Sequence, residues 1–126
     1  MTRIIGNLLY GPQATEVELH VGQYALGDMP CLQLMSEFEV EPGQTLLEPY
    51  MTITSNFPDQ PRDSNELFIK DWSENEGILK HLVEWGIVEP PHRRFPSGFV
   101  SVPVCRMTPA FLLAVGDALV KSHAGH

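Results

Sequence analysis

Strict alternation of apolar and polar residues predicts a strand near the N-terminus. Within residues 16–21, Val17, Leu19 and Val21 share one face and polar residues occupy the other. Such alternation is typical of an antiparallel strand that packs one face on a core and exposes the other to water. The alternation resumes over residues 32–40, so we predict a second strand that forms a hairpin with the first.

Three further strands are predicted, at residues 50–55, 66–71 and 99–105. Pro42-Gly43 fits the central pair of a type II turn, because Pro presets φ and Gly accepts a positive φ. Pro103 lies inside the last strand, which predicts an edge strand or a bulge. Three prolines predict a loop over residues 89–98.

Two helices are predicted in the second half of the chain. Ser73 and Glu76 have the spacing of a capping box, in which each side chain accepts from the other residue's N–H. An apolar stripe at helical spacing follows, and Gly86 is expected to end this helix in a left-handed conformation. Thr108-Pro109 predicts the start of a second helix that runs to about Lys121.

Together these elements predict a single α+β domain over the 126 residues. The expected architecture is a mostly antiparallel meander sheet of five or six strands with two helices packed on one face. Cys31 and Cys105 are too few for a disulfide scaffold and are expected to be reduced and unpaired. No signal peptide or membrane span is predicted, so we expect a cytoplasmic protein.

The charge of the chain narrows the classes of partner. Sixteen acidic residues against eight Lys and Arg give a net charge of −8, which argues against direct nucleic-acid binding and against anionic membranes. Residues 4–61 contain eight acids and no Lys or Arg. Strand alternation places four of these acids opposite the apolar faces, where they would form an acidic sheet face: Glu16, Glu18, Glu37 and Glu39. This face could contact a basic protein surface, mimic nucleic-acid phosphate or serve solubility alone.

Motifs for catalysis or metal binding are not found in the sequence. The five histidines lack the companions of a zinc site, and no glycine-rich phosphate loop opens a helix. Asp71, Ser73 and His81 could be drawn as a triad, but Ser73 is better explained as a helix cap. We therefore predict no catalytic residue, no cofactor and no metal ion.

Residues 70–77, with the sequence Lys-Asp-Trp-Ser-Glu-Asn-Glu-Gly, carry a resemblance to a known family. The resemblance extends to residues on either side of this segment: Glu48-Pro49-Tyr50, Thr52, Thr54, Asn56 and Gly86-Ile87-Val88. The segment resembles a family of small bacterial proteins that occur on chromosomes, plasmids and phages and form a domain of unknown function. The resemblance covers residues 21–88 and implies a small cytoplasmic α+β protein associated with mobile elements. It implies no catalytic residue, and the chain departs from the family in residues 58–63 and in the C-terminal helix.

The leading interpretation is an interaction protein of a mobile element or its bacterial host. Its partner would meet the acidic face, or a corner from Trp72 to Asn75 together with Arg93 and Arg94. The alternative is a small-molecule-binding or enzymatic domain whose pocket lies between sheet and helices, lined by Trp72, Tyr50 and Arg94. A homodimer could form if residues 99–105 paired as an edge strand with a second copy.

Overall fold

The computed structural model describes residues 4–10 and 13–115, and it describes side chains from residue 17 onward except that of residue 38. In these residues, seven antiparallel strands form two sheets. The first sheet contains, in spatial order, β1 (Ile4–Tyr10), β2 (Gln13–Gln23), β3 (Pro30–Glu41) and β4 (Gln44–Thr52). The second places β7 (Val100–Arg106) between β5 (Glu66–Phe68) and β6 (Arg93–Ser97). The predicted α+β class is confirmed, whereas the predicted single meander sheet of five or six strands is wrong.

A short seam, formed by residues 53–55 and 68–70, joins the two sheets. Thr54 and Ile69 form an isolated antiparallel bridge. Backbone hydrogen bonds on either side of it run from Ser55 N–H to Phe68 O (3.0 Å) and from Lys70 N–H to Ile53 O (2.9 Å). Ile53 N–H also donates to Leu32 O of β3 at 3.0 Å. The sheets are separate because this contact is only one bridge long, too short to form a continuous ladder.

The predicted hairpin of the first two patterned strands is confirmed as the β2–β3 pair. Leu19 pairs with Leu34 and Val21 pairs with Leu32, so the apolar faces of both strands coincide. Gly43 adopts a φ of 83°, as the predicted Pro42-Gly43 turn requires. Along β4 the register shifts by one residue, because Leu34 pairs with Met51 while Met35 pairs with Pro49. Tyr50 is therefore the extra residue of a bulge.

Pro103 lies in the central strand of the second sheet, so the predicted edge position is wrong. The Pro103 carbonyl accepts from Ile69 N–H (3.1 Å), and a residue in an antiparallel strand directs its N and O to the same side. The Pro103 nitrogen, which carries no hydrogen, therefore lies opposite Ile69, just after β5 has ended at Phe68. No strand hydrogen bond of β5 is lost there. Residues 99–105 are consequently not the free edge that was predicted to pair with a second copy.

The predicted loop at residues 89–98 instead contains β6. Arg93, Arg94 and Phe95 pair with Val104, Pro103 and Val102 of β7. β6 forms one edge of its sheet. An edge strand tolerates a proline whose nitrogen faces away from the ladder, which explains how Pro96 belongs to a strand.

The start of helix α1 (Ile78–Glu84) differs from the predicted capping box. Ser73 has a φ of 56° and begins a one-turn 3-10 segment (Ser73–Asn75). The α-helix starts only after Gly77. Asp71 Oδ1 instead accepts from the N–H groups of Gly77 (2.9 Å) and Leu79 (3.1 Å). The side chain that satisfies the first N–H groups of the helix is thus the aspartate and not the serine.

We expect Asp71→Ala to lower the free energy of unfolding by about 1 kcal/mol, the usual cost of losing a side chain that caps a helix. Ser73→Ala is the matched control, and its effect should stay below about 0.5 kcal/mol. Urea denaturation of both variants measures this difference. A larger effect at Ser73 than at Asp71 would contradict the assignment of the cap.

The other predicted helix ends are confirmed. Gly86 has a φ of 74° and donates to Val83 O, while Ile87 N–H donates to Leu82 O, both at 3.0 Å. These two bonds define a Schellman motif. The second helix begins at residue 109, and Thr108 Oγ1 accepts from Phe111 N–H at 3.0 Å. The part of that predicted helix beyond residue 115 lies outside the described residues.

Buried residues from both sheets and both helices form one hydrophobic core. Phe68 is the largest side chain that is fully buried in it. Phe57, Phe68 and Phe95 contact one another edge to face at its centre. Cys31 and Cys105 are both free, as predicted, and burial raises the pKa of the Cys105 thiol to about 12.

Candidate interaction surface

The far end of the β3–β4 hairpin, residues 37–50, extends beyond the hydrophobic core. We call these residues the hairpin arm. Leu32 and Leu34 at the start of β3 are completely buried, yet Glu37 and every residue from 39 to 50 are exposed. Since side chains of a strand alternate between two faces, exposure of consecutive residues means that neither face of this part of the hairpin packs on the core.

Both apolar and acidic side chains are exposed on the hairpin arm. Leu46 is 55% exposed, and three further apolar side chains are exposed to a lesser degree: Val40, Leu47 and Tyr50. Four acids and no Lys or Arg belong to the same segment: Glu37, Glu39, Glu41 and Glu48. The combination of apolar area with one sign of charge is more typical of a contact surface than of a face that is only solvated.

The predicted acidic sheet face is confirmed in part and corrected in part. β2 and β3 are neighbours, and Glu37 and Glu39 of β3 are exposed as expected. Glu18 is only 8% exposed and contacts His20 at 3.1 Å, so it is not part of an open surface. Glu18 lies between β1 and β3, where neighbouring strands cover it. The side chain of Glu16 lies outside the described residues.

An open cleft lies at the base of the hairpin arm, beside the Tyr50 bulge. One wall is residues 49–52 of β4, and Lys70, Glu74 and Asn75 form the other. Lys70 Nζ donates to Glu74 Oε1 (2.5 Å), and Asn75 Nδ2 donates to Thr52 O (2.6 Å). Asn75 is 1% exposed. The amide of Asn75 therefore fastens the 3-10 segment to β4 and fixes the cleft in place.

Residues of the family resemblance predicted from the sequence lie on both walls of this cleft. The wall from β4 contains Pro49, Tyr50 and Thr52 of the pattern, and the opposite wall contains Lys70, Glu74 and Asn75. Tyr50, which the sequence reasoning assigned to a pocket, and Asn75, which it assigned to an interaction corner, therefore line the same cleft. It did not foresee that Asn75 is buried, because its partner is a backbone carbonyl 23 positions away.

Other predicted site residues lie elsewhere. Trp72 is partly buried against the core and does not line the cleft. Arg94 lies on β6, where Nη1 approaches Ser101 O at 3.4 Å, and Arg93 on the same strand binds Glu66. The predicted pocket of Trp72, Tyr50 and Arg94 is therefore not formed. The predicted corner is also divided, since Asn75 is held against β4 and Arg93 is held against β5.

We expect Asn75→Ala to lower the free energy of unfolding by about 1–3 kcal/mol, because it leaves the Thr52 carbonyl without its side-chain donor in a buried place. Asn56→Ala is a matched control, since Asn56 Nδ2 also donates to a backbone carbonyl, Leu26 O, but at the surface. Water can replace that donor, so the control should change stability by less than about 0.5 kcal/mol. Thermal or urea unfolding distinguishes the two, and equal losses would contradict this role of Asn75.

A buried ion-pair cluster around Glu66 was missed by the sequence reasoning. Glu66 is 2% exposed; its carboxylate accepts from Arg93 Nη2 (3.0 Å) and Asp63 N–H (2.8 Å) and contacts His92 Nε2. Burial acts to raise the pKa of Glu66, but the hydrogen bonds from Arg93, Asp63 N–H and His92 outweigh it and lower the pKa to about 2. The cluster ties β6 and the loop before β5 to the start of β5, which is a structural role.

Further chemistry is limited within the described part of the chain. No group of three or more His, Cys, Asp or Glu is arranged there to hold a metal ion. Among the same residues, no helix has the length and apolar composition to cross a membrane. Every buried side-chain N or O atom described has a hydrogen-bond partner. Comparison with known proteins finds no family profile, no curated protein and no solved structure that matches this chain.

Proposed function

We propose that this protein is an interaction module that binds a basic protein surface through the hairpin arm. The observation that carries the proposal is the exposure of both faces of residues 39–50, with apolar and acidic side chains interspersed. A folded chain gains little from a long two-stranded extension that buries no core. A partner that covers the apolar side chains and supplies cations would stabilise such an extension.

Electrostatics supports a basic partner in particular. Glu37, Glu39, Glu41 and Glu48 have no basic residue among them in the sequence of the arm. Carboxylates so close together repel one another weakly in water, and cations from a partner would convert that repulsion into attraction. Such a surface also accelerates association at low salt, because the field steers an oppositely charged partner towards it.

The alternative function, a small-molecule-binding or enzymatic domain, would use the cleft at the base of the arm. Its polar side chains already bind protein groups: Lys70 binds Glu74, and Asn75 binds the Thr52 carbonyl. A ligand would have to compete with those bonds, which favours the interaction proposal. A cytoplasmic location and an association with mobile elements stay predictions from the sequence.

Reversing charge on the arm tests this proposal. The double variant Glu37→Lys, Glu39→Lys should weaken partner binding at least tenfold, since two attractive contacts become repulsive. The matched control is Glu84→Lys, Glu89→Lys, which changes net charge equally at two exposed acids outside the arm. Partners are first captured by cross-linking from the bacterial host and purified, and their association is then measured at low and high salt.

Retention of every partner by the arm variant would contradict the proposal. An equal loss in both variants would also contradict it, because net charge and not the arm would then decide binding. Circular dichroism of both variants should be unchanged, since none of the four positions contributes to the core.

A further inference from the structure

Strand β4 forms an edge of the first sheet. Its only neighbour among the described strands is β3, and the seam to the second sheet begins at Ile53, after β4 has ended. Along residues 44–50 the side of β4 that faces away from β3 is therefore not covered by another described strand. Every second residue of an edge strand directs its N–H and C=O away from the sheet, where an added strand can pair with them.

The usual devices that blunt a strand edge are missing from the first five residues of β4. Natural edges are protected by Lys, by Pro or by bulges. Gln44, Thr45, Leu46, Leu47 and Glu48 include neither Lys nor Pro, and Glu48 is their only charge. The register shift opposite Gln44 and Thr45 has its extra residue on β3, between Glu39 and Glu41, whereas Pro49 and the Tyr50 bulge follow immediately in β4. The open edge is thus confined to residues 44–48, which lie in the part of the arm where Leu46 and Leu47 are exposed.

Charge decides which strand could add to this edge. A second copy paired through β4 would place Glu48 of each copy on adjacent strands and would add the three acids of its own β3 half of the arm to the same sheet, with no base in either arm. Like charges on adjacent strands destabilise a sheet. Glu37 and Glu39 share one face of the arm with Leu47, and Leu46 lies on the other face. An extended segment that alternates apolar with Lys or Arg residues would instead place its cations on the face of Glu37 and Glu39 and its apolar side chains beside Leu46.

We infer that residues 44–48 of β4 accept an extended basic segment of another protein as an additional antiparallel or parallel strand. This inference rests on the proposed function and names the mode of recognition. Main-chain hydrogen bonds to the β4 edge would give affinity, and the alternate side chains of the added strand would give specificity.

Synthetic peptide libraries of nine residues, the length of β4, provide the probe. One library alternates Val, Ile or Tyr with Lys or Arg, and the other has the same composition at helical spacing. The full chain should retain peptides from the alternating library in preference to the other. Hydrogen exchange should show new protection of amides within residues 44–48 when the best peptide binds.

Backbone methylation of the best peptide separates strand pairing from side-chain recognition. Two versions carry N-methyl groups on odd or on even residues, so each removes the N–H donors along one edge of the peptide. One version should bind at least about tenfold more weakly, because it loses several hydrogen bonds to β4. The other should bind about as well as the parent, because its lost donors face water.

Leu46→Lys adds a protective charge to the β4 edge and should abolish peptide binding. Leu113→Lys is the matched control, because it introduces the same change at an exposed leucine of the second helix. Equal effects of the two methylated versions, or equal binding of the two libraries, would overturn the inference. Concentration-dependent dimerisation that Leu46→Lys abolishes would also overturn it, because a second copy would then occupy the edge.

The outcomes separate this inference from the proposed function. If charge reversal on the arm removes a captured partner but neither library binds, the arm is a contact surface without strand addition. If charge reversal has no effect and neither library binds, both proposals fail.

Discussion

Replacing Glu66 by glutamine is expected to lower the free energy of unfolding at neutral pH by about 3–5 kcal/mol. The substitution keeps the shape of the side chain but removes a buried negative charge. Arg93 and His92 would then face a neutral amide in a place that has little access to water. Because the side chains of Arg93 and His92 are both partly exposed, we expect a loss at the lower end of that range. Urea denaturation at neutral pH measures it.

The same substitution should change how stability depends on pH. The pKa of Glu66 is lowered from 4.5 to about 2 in the folded protein, so the folded state favours the ionised carboxylate. A carboxylate with a depressed pKa contributes stability above its unfolded pKa and loses it as pH falls towards its folded pKa. Wild-type protein should therefore lose about 3 kcal/mol from this group between roughly pH 5 and pH 2, and Glu66→Gln should lack that loss.

Glu74→Gln is the control for Glu66. Glu74 also binds a cation, Lys70, but its side chain is 65% exposed. Exposed ion pairs contribute little to stability, because water screens the charges and the side chains lose entropy on pairing. We therefore expect the neutral-pH stability of Glu74→Gln to resemble that of the wild type. A Glu66 variant that is no less stable than the Glu74 variant would show that the buried cluster is not an anchor for β6.

Phe68→Ala should lower the free energy of unfolding by about 3–5 kcal/mol, the range for removing a fully buried aromatic ring. Phe68 lies 5.1 Å from Phe95 and 6.0 Å from Phe57, measured between ring centroids, so the deletion leaves a cavity lined by two other rings. Its backbone also accepts the Ser55 N–H at the seam. The loss should thus weaken the join between the sheets as well as the core.

Phe99→Ala is the matched control for this deletion, because Phe99 is fully exposed at the tip of the β6–β7 hairpin. Its effect should stay within about 0.5 kcal/mol. If Phe68→Ala does not fold, Phe68→Leu retains most of the buried volume and should give a smaller loss that can be measured by the same denaturation. Similar stability of the Phe68 and Phe99 variants would refute the central position of Phe68.

Features encoded by neighbouring residues were predictable from the sequence. Alternation over residues 16–21 and 32–40 predicted the paired strands β2 and β3, and Gly86 predicted the end of α1. These signals are local, because the faces of a strand repeat every two residues and the end of a helix is determined by only a few neighbouring residues. The start of α1 was misplaced because Ser73 and Asp71 are both good capping residues, and only the conformation at Ser73 decides between them.

Features that depend on distant residues were not predictable. Glu66 is buried because His92 and Arg93 approach it from 26 and 27 positions further along the chain. Pro103 suggested an edge strand, yet a central strand tolerates it because the neighbouring strand β5 ends at that position. The prolines of residues 89–98 suggested a loop, yet part of this segment forms β6. The acidic face was predicted from alternation alone, which cannot show that Glu18 is buried in the middle of the sheet while Glu39 is exposed near the turn at Gly43.

The two halves of strand β3 differ in how well they tolerate substitution. The first half of β3 contributes Leu32 and Leu34 to the core, where a change of even one methylene group is felt. The second half belongs to the hairpin arm, where a substitution alters what meets the solvent and leaves the core untouched. Substitutions can therefore accumulate in the arm without loss of folding, so the surface proposed here for binding can change while the rest of the domain stays the same.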